Sequence, residues 1–430
     1  MSRFDAPPQS PSRGWTCPFC PLACDHLGVQ STAQGLALVG GTCPRASRAL
    51  AEFGVGAADA ACEIDGVACG LDEAVAAAAA LLATSRQPLL AGLGTDVAGA
   101  RALYPLACAT GAIADSAGGA ALMQGQRALQ DRGQFTTTLA EVRTRADVIV
   151  FVGGVPIDAT PLIAERCGLG DAQVSERQVV VLGKGLGDPP WPSDWQAMPT
   201  VSVESLPLHG DLFRTLGLLA AALAQRPTTE AAPALQALAQ RLRAARYAVF
   251  VGAPQRLPAH GSLLIEAVHR IVGELNRSTR AAALWIGGGD GAATANQVFT
   301  WLSGLPLRSR SGVRGLEHEP LLFDAGRLLA DRAVDSLLWV SSFDAGATPP
   351  ATELPTVALA HPAAAAACRR PGRATVFISV STPGIGSSGH VFRTDGTVLM
   401  PLQAARPDAL PTVADVALRI RDALPQRSAA

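Results

Sequence analysis

A chain of 430 residues is long enough for two or three domains, each able to bury its own core without help from a metal or disulfides. Its 35 basic and 36 acidic side chains leave a formal charge of −1, which excludes a bulk field aimed at nucleic acid or an acidic membrane surface. The polar start MSRFDAPPQSPSRG has no signal-peptide core, no apolar run is long enough to cross a bilayer, and nine cysteines do not pair off evenly; the expectation is a reducing cytoplasm.

The first fifty residues carry the strongest signal. WTCPFCPLACDHLGV followed by VGGTCPRASRAL sets Cys17, Cys20, Cys24 and Cys43 in a C-x2-C-x3-C…C pattern. Two residues between the first pair let both thiolates turn onto one centre, and three more bring the third round. A Gly-containing excursion then returns the fourth. Four such thiolates suit a [4Fe–4S] cluster or a tetrahedral zinc ion, and the spacing favours the cluster. The plain alternative is four separate core cysteines. His26 reads as a supporting or surface group. The remaining cysteines, Cys62, Cys69, Cys108, Cys167 and Cys368, are scattered.

Downstream the grammar changes to alternating helix and short apolar strand. LDEAVAAAAALLATS reads as an alanine-rich buried helix, QPLLAGLG as a strand, residues 98–108 as a helix, and GAIAD as a strand leading into a loop. ADVIVFVGGVP and RQVVVLGKG are strands, DPPWPSDWQAMP a surface loop, and 209–244 a long helical stretch. RYAVFVGAP, AAALWIGGG, VDSLLWVSS, TVALA and ATVFISVST supply further strands, with HGSLLIEAVHRIVGELN a helix among them. Unbroken branched runs of this kind mark parallel sheets covered on both faces. The expected class is therefore α/β: a four-cysteine metal module (1–55), a first doubly wound, Rossmann-like unit (56–205), and a second (206–430) whose C-terminal segment returns toward the first.

Glycines gather at strand ends: Gly92 and Gly94, Gly153 and Gly154, Gly252, and Gly287 to Gly289. None completes a dinucleotide fingerprint with a correctly spaced acid. Ser381 to Ser388 and His390 fall in a glycine/serine loop without a nucleophile elbow. His318, between Glu317 and Glu319, reads as part of a solvated or interfacial loop, with a metal ligand as the other option. His260, His269 and His361 read as satisfied single histidines. No interleaving of basic and aromatic residues suggests nucleic acid.

Several segments together carry a family resemblance: CPFCPLACDHL, GAIADSAGG, TTTLAEVRTRADVIVFVGGVPIDATP, QVFTWLSGLPL, VDSLLWVSSFDAG and GHVFRTDGTVLMPL. The chain resembles the molybdopterin-dependent oxidoreductases, and more closely the B component of formylmethanofuran dehydrogenase, including the bacterial branch of that family in formyltransferase/hydrolase complexes. That resemblance implies a molybdopterin-oxidoreductase-like fold without the C-terminal barrel. It also implies partners: an amidohydrolase-like A component, a C component and a formyltransferase D component.

The departures from the family bear on function. Redox-active relatives follow the strand matching GAIAD with a metal-ligating cysteine and a histidine; here Ser116 to Ala121 offers no thiol or imidazole. Their tryptophan–glycine–asparagine–proline turn appears as Gly153, Gly154, Val155 and Pro156, and their histidine-rich segment as Gly287 to Gly291. Asp344 survives, but the neighbouring proline has become Ala345-Gly346. The resemblance thus implies a subunit without redox catalysis or a molybdenum or tungsten pterin. It would scaffold a complex that moves a formyl group from tetrahydromethanopterin to methanofuran (methylofuran) and releases formate. The alternative is a pterin-dependent formylmethanofuran dehydrogenase subunit with an unusual ligand set. A scaffold needs apolar surface, and Trp191, Trp195, Leu305, Leu307 and Leu316 interrupt segments read as loops.

Overall fold

Branched apolar runs become the parallel strands of two sheets. A computed structural model describes residues 14–32, 35–53, 62–183, 191–369 and 372–425. The N-terminal tail read as polar and Lys184 lie outside the described residues. The chain forms an α/β fold of two compact units, residues 1–119 with 288–430, and residues 120–287. This differs from the consecutive pieces 56–205 and 206–430 expected from the sequence. Both units use the same strand–helix grammar, so no local signal marks where the chain leaves one and returns to it.

In the first unit nine strands pair in the order Gly315–His318, Ser309–Gly312, Ile113–Ala114, Pro88–Gly94, Ser336–Ser341, Thr356–Ala360, Thr375–Ser379, Cys62–Ile64 and Val67–Cys69. The five from Ile113–Ala114 to Thr375–Ser379 run parallel, and an antiparallel hairpin closes each edge. Pro88–Gly94 and its follower Ile113–Ala114 lie to one side of Ser336–Ser341, and the later strands to the other. The strand order therefore reverses between Pro88–Gly94 and Ser336–Ser341, the topological switch point where α/β sheets place ligands. Leu89, Ile113, Leu337, Trp339, Ala358 and Phe377 fill the core on one side of this sheet.

The second unit is an all-parallel sheet ordered Arg280–Trp285, Tyr247–Gly252, Val148–Val152, Arg177–Leu182, Val201–Leu206. Every residue of Val148–Val152 and Tyr247–Gly252 is buried, as a strand covered on both faces requires. The stretch read as one helix over 209–244 is two, Leu212–Leu223 and Pro233–Ala244. Pro233 fits the first turn of the second, where its missing N–H goes unused. DPPWPSDWQAMP is not only surface: Trp195 is buried against Phe151, with ring centroids 5.9 Å apart. Leu307 is buried as well, so neither residue offers apolar surface to a partner.

His269 in the helix Gly261–Leu275 sits between two donors, the Phe135 amide 3.2 Å from Nδ1 and the Trp285 indole N–H 3.0 Å from Nε2. A neutral ring accepts from one of them at a time, and an imidazolium from neither. Burial draws the ring down from 6.5 to about 4. A depressed folded pKa gives stability that is complete above the unfolded value and lost as pH falls from about 6.5 toward 4, in total about 3 kcal/mol. His269→Gln, which keeps an acceptor and does not titrate, is expected to remove that acid-side loss. Urea midpoints at pH 7 and pH 4.5 measure it, and an unchanged acid limb would refute it.

Candidate functional site

The site builds up around the switch point of the first unit. Gly92 (φ 79°) and Leu93 (φ 50°) are both left-handed, and the pairing with Ser336–Ser341 shifts register between Trp339 and Ser341. Such an irregularity re-aims the backbone at the end of a strand. Beside it lies the glycine-rich turn read from the sequence, with Gly288 (φ 73°), Asp290 (φ 53°) and Gly291 (φ 83°) in left-handed conformations. A Cβ on Gly291 would stand 2.5 Å from the backbone nitrogen and oxygen of Thr95 and 3.1 Å from the Phe343 ring. Glycine is needed there for close packing as much as for its torsion.

The same turn meets the cysteine module, since a Cβ on Gly289 would lie 3.1 Å from Pro21. Arg45, in the helix Pro44–Glu52, reaches Asp290 Oδ1 at 3.4 Å and also donates to the Phe19 carbonyl. Burial pushes the Asp290 carboxyl up, Arg45 draws it down, and the Asp344 charge adds to the rise. Asp344 is exposed and accepts the Gly346 amide at 2.9 Å. The structure thus joins Arg45, Asp290 and Asp344 beside the cysteines, a grouping the sequence did not reveal for Arg45.

The module itself is pinned by backbone. The Cys17 amide donates to Cys24 O at 2.8 Å, Trp15 Nε1 to Gly384 O at 2.8 Å, and the Thr394 amide to Pro21 O at 2.9 Å. Cys17, Cys20, Cys24 and Cys43 are all buried and none is in a disulfide. Burial and the neighbouring Cys20 and Cys43 push the Cys17 thiol above its ordinary range, whereas a hydrogen bond with Cys24 draws Cys20 down to about 7. Among the described residues, no three or more His, Cys, Asp or Glu side chains are placed to hold a metal ion. The donor chemistry, four buried unlinked thiols in one short segment, fits a thiolate-bound metal.

The loop after Ile113–Ala114 is occupied by a buried ion network. Arg308 and Asp115 side chains are 4 % and 2 % exposed, with Nε and Oδ1 3.3 Å apart. Arg308 also donates to Asp324 and to the Pro320 carbonyl. Asp115 accepts the Ser116 and Ala325 amides, each at 2.9 Å. Gly119 closes over it so tightly that a Cβ would stand 2.2 Å from Asp115 Oδ1.

In the second unit the strand order reverses between Val148–Val152 and Tyr247–Gly252. Gly153 and Gly154 (φ 77° and 97°) turn the chain after the first of these strands. Val155 is buried, and Arg256, following the other strand, donates to its carbonyl at 2.6 Å. The chain's own side chains bridge that switch point.

The remaining sequence candidates are held in local contacts. Glu317 and His318 lie in an antiparallel hairpin strand rather than a loop; Glu317 pairs with Arg310 and Arg314, and His318 Nδ1 donates to Arg308 O at 3.1 Å. Residues 381–386 are buried in a tight turn, its Thr382 carbonyl accepting the amides of Ile385, Gly386 and Ser387, and Ser388 is exposed. His361 caps a short turn at Ala363, and His260 precedes a helix with φ 62°. Cys108 lies partly buried in the helix Val97–Thr110. No helix among the described residues is long and apolar enough to cross a membrane.

No family model matches the sequence. The B component of the formyltransferase/hydrolase complex Fhc of Methylorubrum extorquens is 34 % identical over 369 residues, which cover 84 % of this chain and 97 % of the relative. Among solved structures, the crystal structure of the FhcABCD complex of Methylorubrum extorquens with methylofuran contains a similar chain. The TM-score is 0.73 at 33 % identity, over 85 % of this chain and 98 % of that one.

Proposed function

Because the chain belongs to the FhcB family of formyltransferase/hydrolase complex components, we propose that it is a structural member, without redox catalysis, of such a complex. Its partners are the amidohydrolase-like A component, the C component and the formyltransferase D component. The assembly moves a formyl group from tetrahydromethanopterin to methanofuran (methylofuran) and hydrolyses it to formate in the cytoplasm.

The observation that carries the non-redox reading is the buried Asp115–Arg308–Asp324 network after Ile113–Ala114. The family resemblance puts a metal-ligating cysteine at this position. An ion pair with the Ser116–Gly119 turn closed over it leaves no soft ligand there to grip molybdenum or tungsten. The assembly reading draws on exposed apolar side chains of the first unit: Trp301 at 59 %, Val313 at 108 %, Leu321 at 57 % and Leu399 at 45 %. Trp301 leans on Phe392 at 5.1 Å, and Phe392 faces Leu399 across the hairpin Gly389–Phe392/Leu399–Leu402. Obligate interfaces cover apolar groups of this kind.

Two expected outcomes test this function. Co-expressed with the other three components, the chain enters a stable hetero-oligomer by size exclusion with light scattering, and expressed alone it self-associates. The purified complex releases formate and shows no formyl-dependent dye reduction. A well-behaved monomer that ignores the partners would sink the assembly reading, and stoichiometric molybdenum or tungsten with dye reduction would sink the non-redox one.

The metal is a separate part of the proposal. Cys17, Cys20, Cys24 and Cys43 would hold one [4Fe–4S] cluster, or zinc, as a staple for a segment too short to build its own core. Cys17→Ser is expected to remove any charge-transfer absorption and loosen residues 14–53 in hydrogen exchange, while per-complex hydrolase turnover stays intact. Equal exchange in variant and parent would overturn the staple.

A further inference from the structure

The hairpin at one edge of the nine-stranded sheet sets Cys62 directly opposite Cys69, Glu63 opposite Ala68 and Ile64 opposite Val67. Its two turn residues, Asp65 (φ 52°) and Gly66 (φ 80°), are both left-handed, the torsions of a type I′ turn that matches strand twist. The register is held from outside the hairpin as well. Asp65 donates its amide to Thr375 O and accepts the Thr375 amide on Oδ1, each at 2.8 Å, and Cys62 pairs with Ile378 on the neighbouring strand. A slip that would part the two cysteines is therefore blocked.

Opposed residues in an antiparallel pair have Cα atoms about 4.5–5.5 Å apart, within the span of about 4.4–6.8 Å that disulfides tolerate. Their Cβ atoms stand about 4.5–5.5 Å apart, wider than the usual disulfide value of about 3.5–4.5 Å. A bond between them closes under strain, and strained disulfides are the readily reduced ones. Both thiols are free, Cys62 buried and Cys69 partly exposed on the outermost strand, and the Cys69 charge adds to the rise that burial imposes on Cys62. The Glu63–Arg369 pair, at 2.6 and 2.8 Å, occupies the opposite face of the hairpin and is not disturbed by closure.

We propose that Cys62 and Cys69 form a reversible cross-strand disulfide, a redox-responsive clasp on this sheet edge, by exchange with a low-molecular-weight disulfide. The accessible Cys69 thiolate attacks one sulfur of the small disulfide, whose S–S bond breaks and releases one small thiolate. The Cys62 thiolate then attacks the Cys69 sulfur of the mixed disulfide, and the second small thiolate leaves. The two cysteine protons pass to the departing thiolates. Two protein thiols are oxidised and one small disulfide is reduced to two thiols. Burial pushes both cysteines up, so the exchange runs faster toward alkaline pH.

The test uses the full chain equilibrated at pH 8 with graded mixtures of oxidised and reduced glutathione, acid-quenched, alkylated and digested with trypsin. The tryptic peptide Ala49–Arg86 holds Cys62 and Cys69 and no other cysteine. The expected product is that peptide two hydrogens lighter and unalkylated under oxidising mixtures, returning to the doubly alkylated form under reducing ones. In Cys69→Ser, Cys62 stays alkylated at least tenfold more often at the same ratios. Double alkylation at every ratio, or glutathione retained on Cys69 without closure, would overturn the clasp.

Discussion

Replacing Arg308 by methionine is expected to destabilise the first unit by about 3–5 kcal/mol, because it strands the Asp115 carboxylate in the interior. Asp115 is buried by its own strand end and by the Ser116–Gly119 turn, and burial already pushes its carboxyl up in spite of Arg308. The pair is therefore weak as a net source of stability and strong as a constraint: keeping both charges is tolerable, and removing one is not. Loss of Arg308 also leaves Asp324 and the Pro320 carbonyl without their donor. Adding Asp115→Asn to the methionine variant is expected to recover part of the loss. The amide is neutral, and its oxygen still accepts the Ala325 or Ser116 N–H. Urea unfolding of the single and double variants measures this; a single variant within about 1 kcal/mol of the parent would show that the carboxylate finds water instead.

Much of the fold was legible because burial on both faces leaves a plain mark in sequence. Val148–Val152, Arg177–Leu182, Tyr247–Gly252 and Thr375–Ser379 are strands where the apolar runs predicted them, and the helices between them follow. Long-range partnership was not legible. Pro88–Gly94 pairs with Ser336–Ser341 across most of the chain, and nothing near either strand announces the other. The same limit governs the site. The glycines at 288–291 mark a tight turn, but only the fold puts Arg45 against Asp290 or Arg308 against Asp115. Arg308 has φ 65°, a torsion that arginine does not advertise in sequence. Apolar residues in irregular segments misled in the other direction. Trp195 folds back onto Phe151 of its sheet and Leu307 is fully buried, whereas Trp301, at the end of a helix, is exposed.

Arg177→Met is expected to cost about 4 kcal/mol or more in the second unit, by leaving several buried carbonyls without a donor. Arg177 is 1 % exposed, and its guanidinium donates its hydrogen bonds to backbone carbonyls. Nη1 donates to Val142 O at 3.0 Å, Ala146 O at 3.0 Å and Cys167 O at 3.1 Å, and Nη2 donates to Arg143 O. These carbonyls lie at or just past the C-terminal ends of the helices Leu139–Arg145 and Ile163–Arg166, where the negative end of the dipole sits; Val142 O also accepts the Ala146 amide at 3.2 Å. One side chain thus caps two helices, and the nearby Asp171 and Asp147 charges oppose the loss of hydration that draws the Arg177 pKa down. Cys167 beside it is pushed up to about 12 by burial, so it stays a neutral thiol and supplies no counter-charge at pH 7. Arg177→Lys keeps the charge, but its compact ammonium lacks the planar fork and reaches fewer of the four oxygens. The lysine variant is expected to fall between parent and methionine in urea midpoint, with amide exchange rising first in residues 139–146. Equal loss in both variants would mean that charge contributes nothing beyond the fork, and no loss in either would show that water caps these helices unaided.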